Sequence, residues 1–504
     1  MRYPFVFKRI YRFALMNKRI FIALFFTVFC AGLFSQNSSV LAQGEWYKIS
    51  TTKNGIYKLS YSSVIDLGID VDNLQISAIK LYGNGGGMLP HLNSDFRHND
   101  LPEMAIKIYD SNNNGVFESS DYILFYGMSA NIWKFNASSN LFEHKTHLFS
   151  DKVYYFLTVD NQGEGKRVEL KNTLLNPTKT ITDYNAFAYH EQELENIIHS
   201  GKKWFGERFS YDNAQNFSFS FPNLILSEAV NIKTAVVGRS LQSSNFKINA
   251  NSTFLSTLNV PNVVTTYATE YAKEASNNSL FNSNSSNIDV NLEYSSGDSG
   301  AEAWLNYIEI NARRELKLSG NYLTFRDVES QSDEIGKFEI ENANGVSVWD
   351  VSDPTNVLEL PTNLVGNVLS FNDSLNSINE YMAFNSSAYL TPTLHSSVAN
   401  QDLHGISNNI EFVIVSHPDF FSAANRLADF HLEKDNMNSI VVIPQQIYNE
   451  FSSGMQDVSA IRDFLKHQYD LNLKLQYNFH KNFLCIGCQC HLNNLKTLQL
   501  FLLW

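Results

Sequence analysis

Phe217-Ser218-Phe219-Ser220-Phe221 alternates without a break between an aromatic ring and a hydroxyl. In an extended chain, successive side chains point to opposite faces. A period of two therefore sets the three rings on a core face and the two serines toward water. Ile288-Asp289-Val290-Asn291-Leu292-Glu293-Tyr294 carries the same pattern. From Glu45 to about Pro392 such runs are punctuated by polar clusters, as at Ser243-Ser244-Asn245 and Asn282-Ser283-Asn284. This is the arrangement expected of β-sandwich or jelly-roll domains. The 37 Phe and 24 Tyr also favour half-buried pleated surfaces.

The period changes after His404. Glu411-Phe412-Val413-Ile414-Val415 is a short apolar run suited to a buried strand, and Ala423, Leu427 and Phe430 follow at helical spacing, with Phe420 one turn earlier. Ser439-Ile440-Val441-Val442-Ile443 reads as a second buried strand, closed by Pro444. Asp457 suits a helix N-cap, with Val458, Ile461, Leu465 and Gln468 along one face beyond it. This β-α-β-α order predicts the opening of a parallel sheet covered by helices. Leu471 to Tyr477 is the candidate third strand. Beyond Tyr477 no period is sustained, and the reading frame is expected to fail between about residues 472 and 478.

The chain's 504 residues are too many for one core and predict about three or four domains. The divisions expected are a signal peptide over 1–42, an N-terminal β domain over 43–165, a β connecting region over 166–225, a β-sandwich over 226–320, a β-rich region over 321–405, an incomplete α/β domain over 406–473 and an aberrant tail over 474–504. The signal consists of Lys18 and Arg19, an apolar run from Ile20 to Phe34, and Val40-Leu41-Ala42 as the cleavage site. That run is shorter than the roughly 20 residues of a comfortable membrane span, so the mature chain is expected to have no transmembrane segment. The protein is thus expected to be exported to the periplasm, outer membrane or cell surface. The formal net charge is −13, although residues 1–42 carry six Lys or Arg and no acid. The remainder is more acidic still, which excludes phosphate backbones as partners, and so nucleic acid. Residues 31–484 contain no cysteine, so no disulfide framework is expected.

Several segments resemble the gingipain-type cysteine peptidase family, most closely the sortases of the type IX secretion system. They are Tyr82-Gly83-Asn84-Gly85-Gly86-Gly87-Met88-Leu89-Pro90, Glu103 to Ile108, Asp121 to Gly127, Ala303 to Ile308 and, most specifically, Ile447 to Gly454 continuing through Gln456 to Phe464. The resemblance runs from about Gly44 to Leu473. It implies a caspase-like α/β peptidase domain beginning near residue 406, with a Cys nucleophile and a His base downstream of this opening. It also implies secreted cargo proteins and other type IX components as partners. No residue here matches the family's catalytic segments, so no catalytic residue is assigned and the chain itself is expected to be inactive. The competing reading is a non-catalytic β-sandwich surface protein for binding or adhesion.

The best site-like segment is the loop from Asp110 to Asp121. Asp110, Asn112 and Asn114 fall at loop positions one, three and five, Gly115 at six, Val116 at seven and Asp121 at twelve, with Glu118 between. That spacing suits oxygen ligands converging on Ca2+, since Gly permits the turn. Calcium, in a structural role, is the one cofactor expected, and a plain Asn-Gly hairpin turn is the competing reading. Cys485, Cys488 and Cys490, with His480 and His491 nearby, could be read as a nucleophile or a zinc site. They lack an oxyanion framework and a second ligand pair. Gly83-Asn84-Gly85-Gly86-Gly87 reads as a glycine turn, His417 as a loop or helix-start histidine, and Asp327 and Glu329 as solvated loop charges.

Overall fold

The computed structural model describes residues 38–199, 203–266, 269–406, 410–471 and 483–486. Its N-terminal unit packs two antiparallel sheets. One has the strand order Thr393–Val398, Trp46–Thr51, Val153–Val159, Ile79–Tyr82, Glu103–Met104, and the other Gly55–Ser60, Tyr122–Gly127, Ile106–Tyr109. Ile49, Leu81, Ile106, Phe125 and Tyr155 close the core between them. The first sheet is completed only by Thr393–Val398, whose Val398 lies opposite Trp46, so the chain returns to this unit after more than two hundred residues. Residues 38–42, expected at the end of the signal, belong to this fold. Leu41 is fully buried beside Trp46, Leu101 and Phe156, and the Val40 amide donates to Asp100 at 2.7 Å. A boundary at residue 42 would cut a packed segment, because the Leu41 side chain has a core position of its own.

The alternating runs form the sandwich. Phe217 pairs with Val290 and Phe219 with Ile288 across an antiparallel ladder. All four are buried, while Ser218 and Ser220 are exposed. Each such side chain stabilises the fold by about 1.5–3 kcal/mol on leaving water. This sheet, with the order Ala214–Ser220, Asn287–Ser296, Ser244–Ala250, Thr253–Val260, shares one core with a second of order Asp183–His190, Glu302–Glu315, Val230–Arg239, Lys273–Phe281. The strands Asp183–His190 and Ala214–Ser220 lie in the stretch expected as a connecting region, so the sandwich does not divide at residue 225. The same core continues past residue 320 through Phe325, Phe338, Phe371 and Tyr381, with the Phe338 and Phe371 rings stacked at 5.0 Å. Asp327, expected to be solvated, is instead buried and accepts from Arg313 Nη1 at 2.5 Å, while Glu329 stays exposed. Arg313 is itself buried in the sandwich, and burial of a guanidinium requires a carboxylate partner.

From residue 410 the topology is parallel. Phe412–Ser416 lies between Ser439–Val442 and Phe483–Ile486, parallel to both. Helices Phe421–Asp435, Pro444–Phe451 and Val458–Leu471 accompany it. Three expectations are corrected. Leu471 ends a helix, so it begins no strand; among the described residues the third parallel strand is Phe483–Ile486, and residues 472–482 lie outside them. Pro444 does more than close a strand, because at the first helical position its missing N–H costs nothing and it starts an additional helix. The helix Phe421–Asp435 buries Ala424 with Leu427 and Ala428 beside it, while Ala423, Phe420 and Phe430 of the expected stripe are exposed. Among the described residues no helix is long and apolar enough to cross a membrane. The protein is therefore mainly β, followed by the start of an α/β unit.

Candidate functional site

In an open parallel sheet, ligands bind beyond the carboxyl ends of the strands. Here that edge is Ser416-His417, after the central strand. His417 Nδ1 accepts from the Asp419 amide at 3.3 Å and so caps a short 3-10 turn, as a helix-start histidine does. By backbone register Cys485 lies opposite Val415 on the neighbouring strand. Cys488, Cys490, His480 and His491 lie outside the described residues.

The segment Ile447 to Phe464 joins this sheet to the N-terminal unit through paired polar residues. Glu450 is buried in the helix Pro444–Phe451 and accepts from the Leu403 and His404 amides at 2.8 and 3.1 Å and from Gln401 Nε2 at 2.8 Å. The His404 ring also donates to it through Nδ1 at 2.6 Å. Asp457, fully buried, uses one oxygen to cap Ser459 at 2.7 Å and the other to accept from the Leu89 amide at 2.9 Å. His147, sealed from solvent, accepts at Nδ1 from the Phe149 and Ser150 amides. Its Nε2 therefore carries the proton, 3.9 Å from Asp457. Arg97 Nη1 reaches Asp463 at 2.6 Å, and Arg462 Nη2 donates to the Pro90 carbonyl at 2.9 Å. Lys48, whose pKa burial lowers to about 8, donates to Asn449 at 3.1 Å.

What aims Leu89 at Asp457 is the run of glycines before it. Gly85, Gly86 and Gly87 have φ of 80°, 79° and 76°, and a Cβ on Gly86 would lie 2.8 Å from Met128 Cβ. The segment is a glycine turn, whose left-handed backbone and packed surroundings leave no room for a Cβ at Gly86. Sequence reasoning singled out Asp457 only as a cap. It missed His404 and Glu450, 46 residues apart in the chain, and their one outward signal was that the period changes at His404.

The Asp110–Asp121 loop joins two antiparallel strands, Ile106–Tyr109 and Tyr122–Gly127. Asp110 accepts from the Asn112, Asn114 and Gly115 amides, the last at 2.9 Å, and Asn114 Oδ1 accepts from Val116 N at 2.8 Å. Asn112 Nδ2 donates to Glu118 at 2.6 Å. Asp121 is buried and accepts from the Ser111 and Glu118 amides. Burial raises its pKa, but these hydrogen bonds more than offset that, and the net shift is downward. Gly115 takes φ of 79°, as the turn requires. Among the described residues no three His, Cys, Asp or Glu side chains gather to hold a metal ion. A cation in this loop would therefore draw on the Asn oxygens and the Val116 carbonyl as well as the carboxylates.

Residues 406–479, which include the parallel opening, match the model of Peptidase family C25, six residues beyond the expected end of the domain at 473. The particular fold is that of a known chain. The crystal structure of dimeric latent PorU from Porphyromonas gingivalis has a TM-score of 0.74 to this protein at 24% identity, covering 88% of this chain and 41% of that one. The chain therefore spans under half the length of PorU, and the likeness establishes the shared fold. The CBM36-1 domain of a multidomain xylanase from the hindgut metagenome of Trinervitermes trinervoides matches at TM-score 0.17 and 12% identity, over 26% of this chain and 94% of that one. The insecticidal delta-endotoxin Cry8Ea1 of Bacillus thuringiensis matches at 0.18 and 12%, over 54% of each chain. Neither carries an argument. No curated protein matches the chain.

Proposed function

We propose that the chain is the front portion of an exported, surface-displayed gingipain-type cysteine peptidase, a sortase acting on the C-terminal signals of type IX secretion cargo. The observation that carries this reading is the family C25 match over residues 406–479, in a sheet opening seated on a PorU-like β body by Ile447–Phe464. The 504-residue polypeptide itself cleaves nothing. Thiolate chemistry needs a cysteine and a base within hydrogen-bond reach. Residues 31–484 contain no cysteine, and the strand bearing Cys485 belongs to the sheet rather than to a loop at its end. We also propose a structural Ca2+ in the Asp110–Asp121 loop, supported by its ligand spacing and the left-handed Gly115. To test the main reading, the chain is incubated with a peptide carrying a type IX cargo signal. No cleavage is expected. Cleavage abolished by thiol alkylation would place a working nucleophile among Cys485, Cys488 and Cys490.

A further inference from the structure

Lys171 holds two carboxylates at once. It follows the strand Glu169–Leu170 and is half-buried, and its Nζ donates to Asp350 Oδ2 at 2.8 Å and to Asp373 Oδ2 at 2.7 Å. Asp350 ends the strand Ser347–Asp350 of one sheet, and Asp373 lies in the strand Val368–Ser374 of another. Both carboxylates are buried, Asp373 to 1% exposure. Each oxygen of Asp373 has further donors. The Ser374 amide donates to Oδ1 at 2.8 Å, and the Tyr381 hydroxyl and Asn379 Nδ2 donate to Oδ2 at 2.9 and 3.3 Å. Tyr381 packs on the Phe371 ring, and burial keeps its hydroxyl protonated. Asp350 Oδ1 accepts from the amide and the hydroxyl of Ser352, at 3.1 and 2.6 Å.

An amine, a carboxyl carbon ringed by hydrogen-bond donors and a second carboxylate are the parts of an amide-forming site: nucleophile, polarised electrophile and proton relay. A buried lysine needs one carboxylate to balance it, and the second adds a charge that one ammonium does not offset. We propose that Lys171 and Asp373 condense to an intramolecular isopeptide bond, with Asp350 as the proton relay. Burial pulls the Lys171 pKa down, but the hydrogen bonds to Asp350 and Asp373 outweigh it and the net shift is upward, so the reaction begins when Nζ passes a proton to Asp350. The freed lone pair attacks Asp373 Cγ and the N–C bond forms, with the Ser374 amide facing the charge on Oδ1. The Cγ–Oδ2 bond then breaks, and Oδ2 leaves as water with protons returned by Asp350. Of the three ammonium hydrogens one stays on the amide and two depart with the oxygen. Ammonium and carboxylate thus become amide and water, Asp350 is regenerated, and nothing is oxidised or reduced. Lys171 and Asp373 stand 202 residues apart, so the bond closes a loop around the whole sandwich and restrains the unfolded chain as a disulfide does. Residues 31–484 hold no cysteine for that purpose. This assignment stands apart from the peptidase reading.

The test is the intact mass of the purified full chain, shown to be folded by a cooperative melt and then denatured. The mass is expected to be one water below that calculated from its sequenced termini, and a protease digest is expected to yield one branched peptide joining Lys171 to Asp373. Lys171→Arg keeps the positive charge but offers no free amine. It is expected to show the full calculated mass and a lower melting temperature. Asp350→Asn keeps the shape without the relay and is expected to leave most chains unlinked. The proposal is overturned if the folded parent has its full calculated mass, which leaves an ion-paired triad only, if Lys171→Arg also lacks one water, or if the branched peptide joins other residues.

Discussion

The His404 ring donates through Nδ1 to Glu450 and through Nε2 to the carbonyl of Asn99, both at 2.6 Å, in a site closed to solvent. Acceptors at both nitrogens mean that the ring carries two protons, so a buried imidazolium–carboxylate pair ties the segment after the strand Thr393–Val398 to the helix Pro444–Phe451. Phe451 stacks on the ring at 4.4 Å. Burial pulls the His404 pKa down, but the Glu450 hydrogen bond and the nearby Asp100 charge outweigh it, and the net shift is upward. A raised histidine pKa favours the fold in full below the unfolded value of about 6.5, and that contribution is lost as pH climbs through the folded value. Glu450→Gln is therefore expected to cost about 3–5 kcal/mol near pH 6 and distinctly less near pH 9. Urea denaturation of parent and variant measures this, and a gap that stays constant with pH contradicts the charged pair.

Asp457 holds two elements at once, the helix Val458–Leu471 and the Leu89 amide of the glycine turn. Asp457→Ala loses a cap worth about 1 kcal/mol and leaves a buried N–H unsatisfied at about 1–3 kcal/mol. Asp457→Asn keeps one acceptor oxygen and is expected to fall between Ala and the parent. Equal stabilities for the two variants would mean that the Leu89 contact contributes nothing.

Leu41 fills a closed site against Trp46, Leu101 and Phe156. A chain starting at Gln43 lacks it and is expected to lose about 2–5 kcal/mol, as for a buried leucine truncated in place. N-terminal sequencing of the protein purified from cells is accordingly expected to read a start at or before Ser38. A mature start at Gln43 with unchanged melting temperature would show that the Leu41 site needs no occupant.

Calcium in the Asp110–Asp121 loop would add ligand contacts that only the folded chain offers, so it should raise the melting temperature as free cation exceeds the dissociation constant. Asp110→Ala, which also removes the acceptor for Gly115 N, is expected to abolish the shift. Calorimetry showing neither heat nor a shift leaves a turn closed by its own hydrogen bonds.

Much of the β body was legible from local pattern, because a half-buried strand writes its orientation into every second residue: Phe217 and Phe219 face inward as their alternation requires. The parallel pair Phe412–Ser416 and Ser439–Val442 was legible from its unbroken apolar character. The helix Phe421–Asp435 was legible as a helix, but not its buried face. Phe420, Phe421, Ala423, Ala424, Leu427, Ala428 and Phe430 make its apolar sector so wide that only the sheet selects Ala424. Of the strand expected over Leu471 to Tyr477 only Leu471 is among the described residues, and it completes a helix whose buried residues are Ala460, Ile461, Asp463, Phe464 and Gln468.

By itself the sequence determined the class of architecture and the Asp457 cap, since both are written in neighbours along the chain. The tertiary structure decided the return of Thr393–Val398 to the first sheet, the single core from Ile181 to Ala383 and the His404–Glu450 pair. The physical reason is that burial and charge pairing depend on which surfaces meet, and surfaces that meet across hundreds of residues leave no period in the sequence for either to be read from.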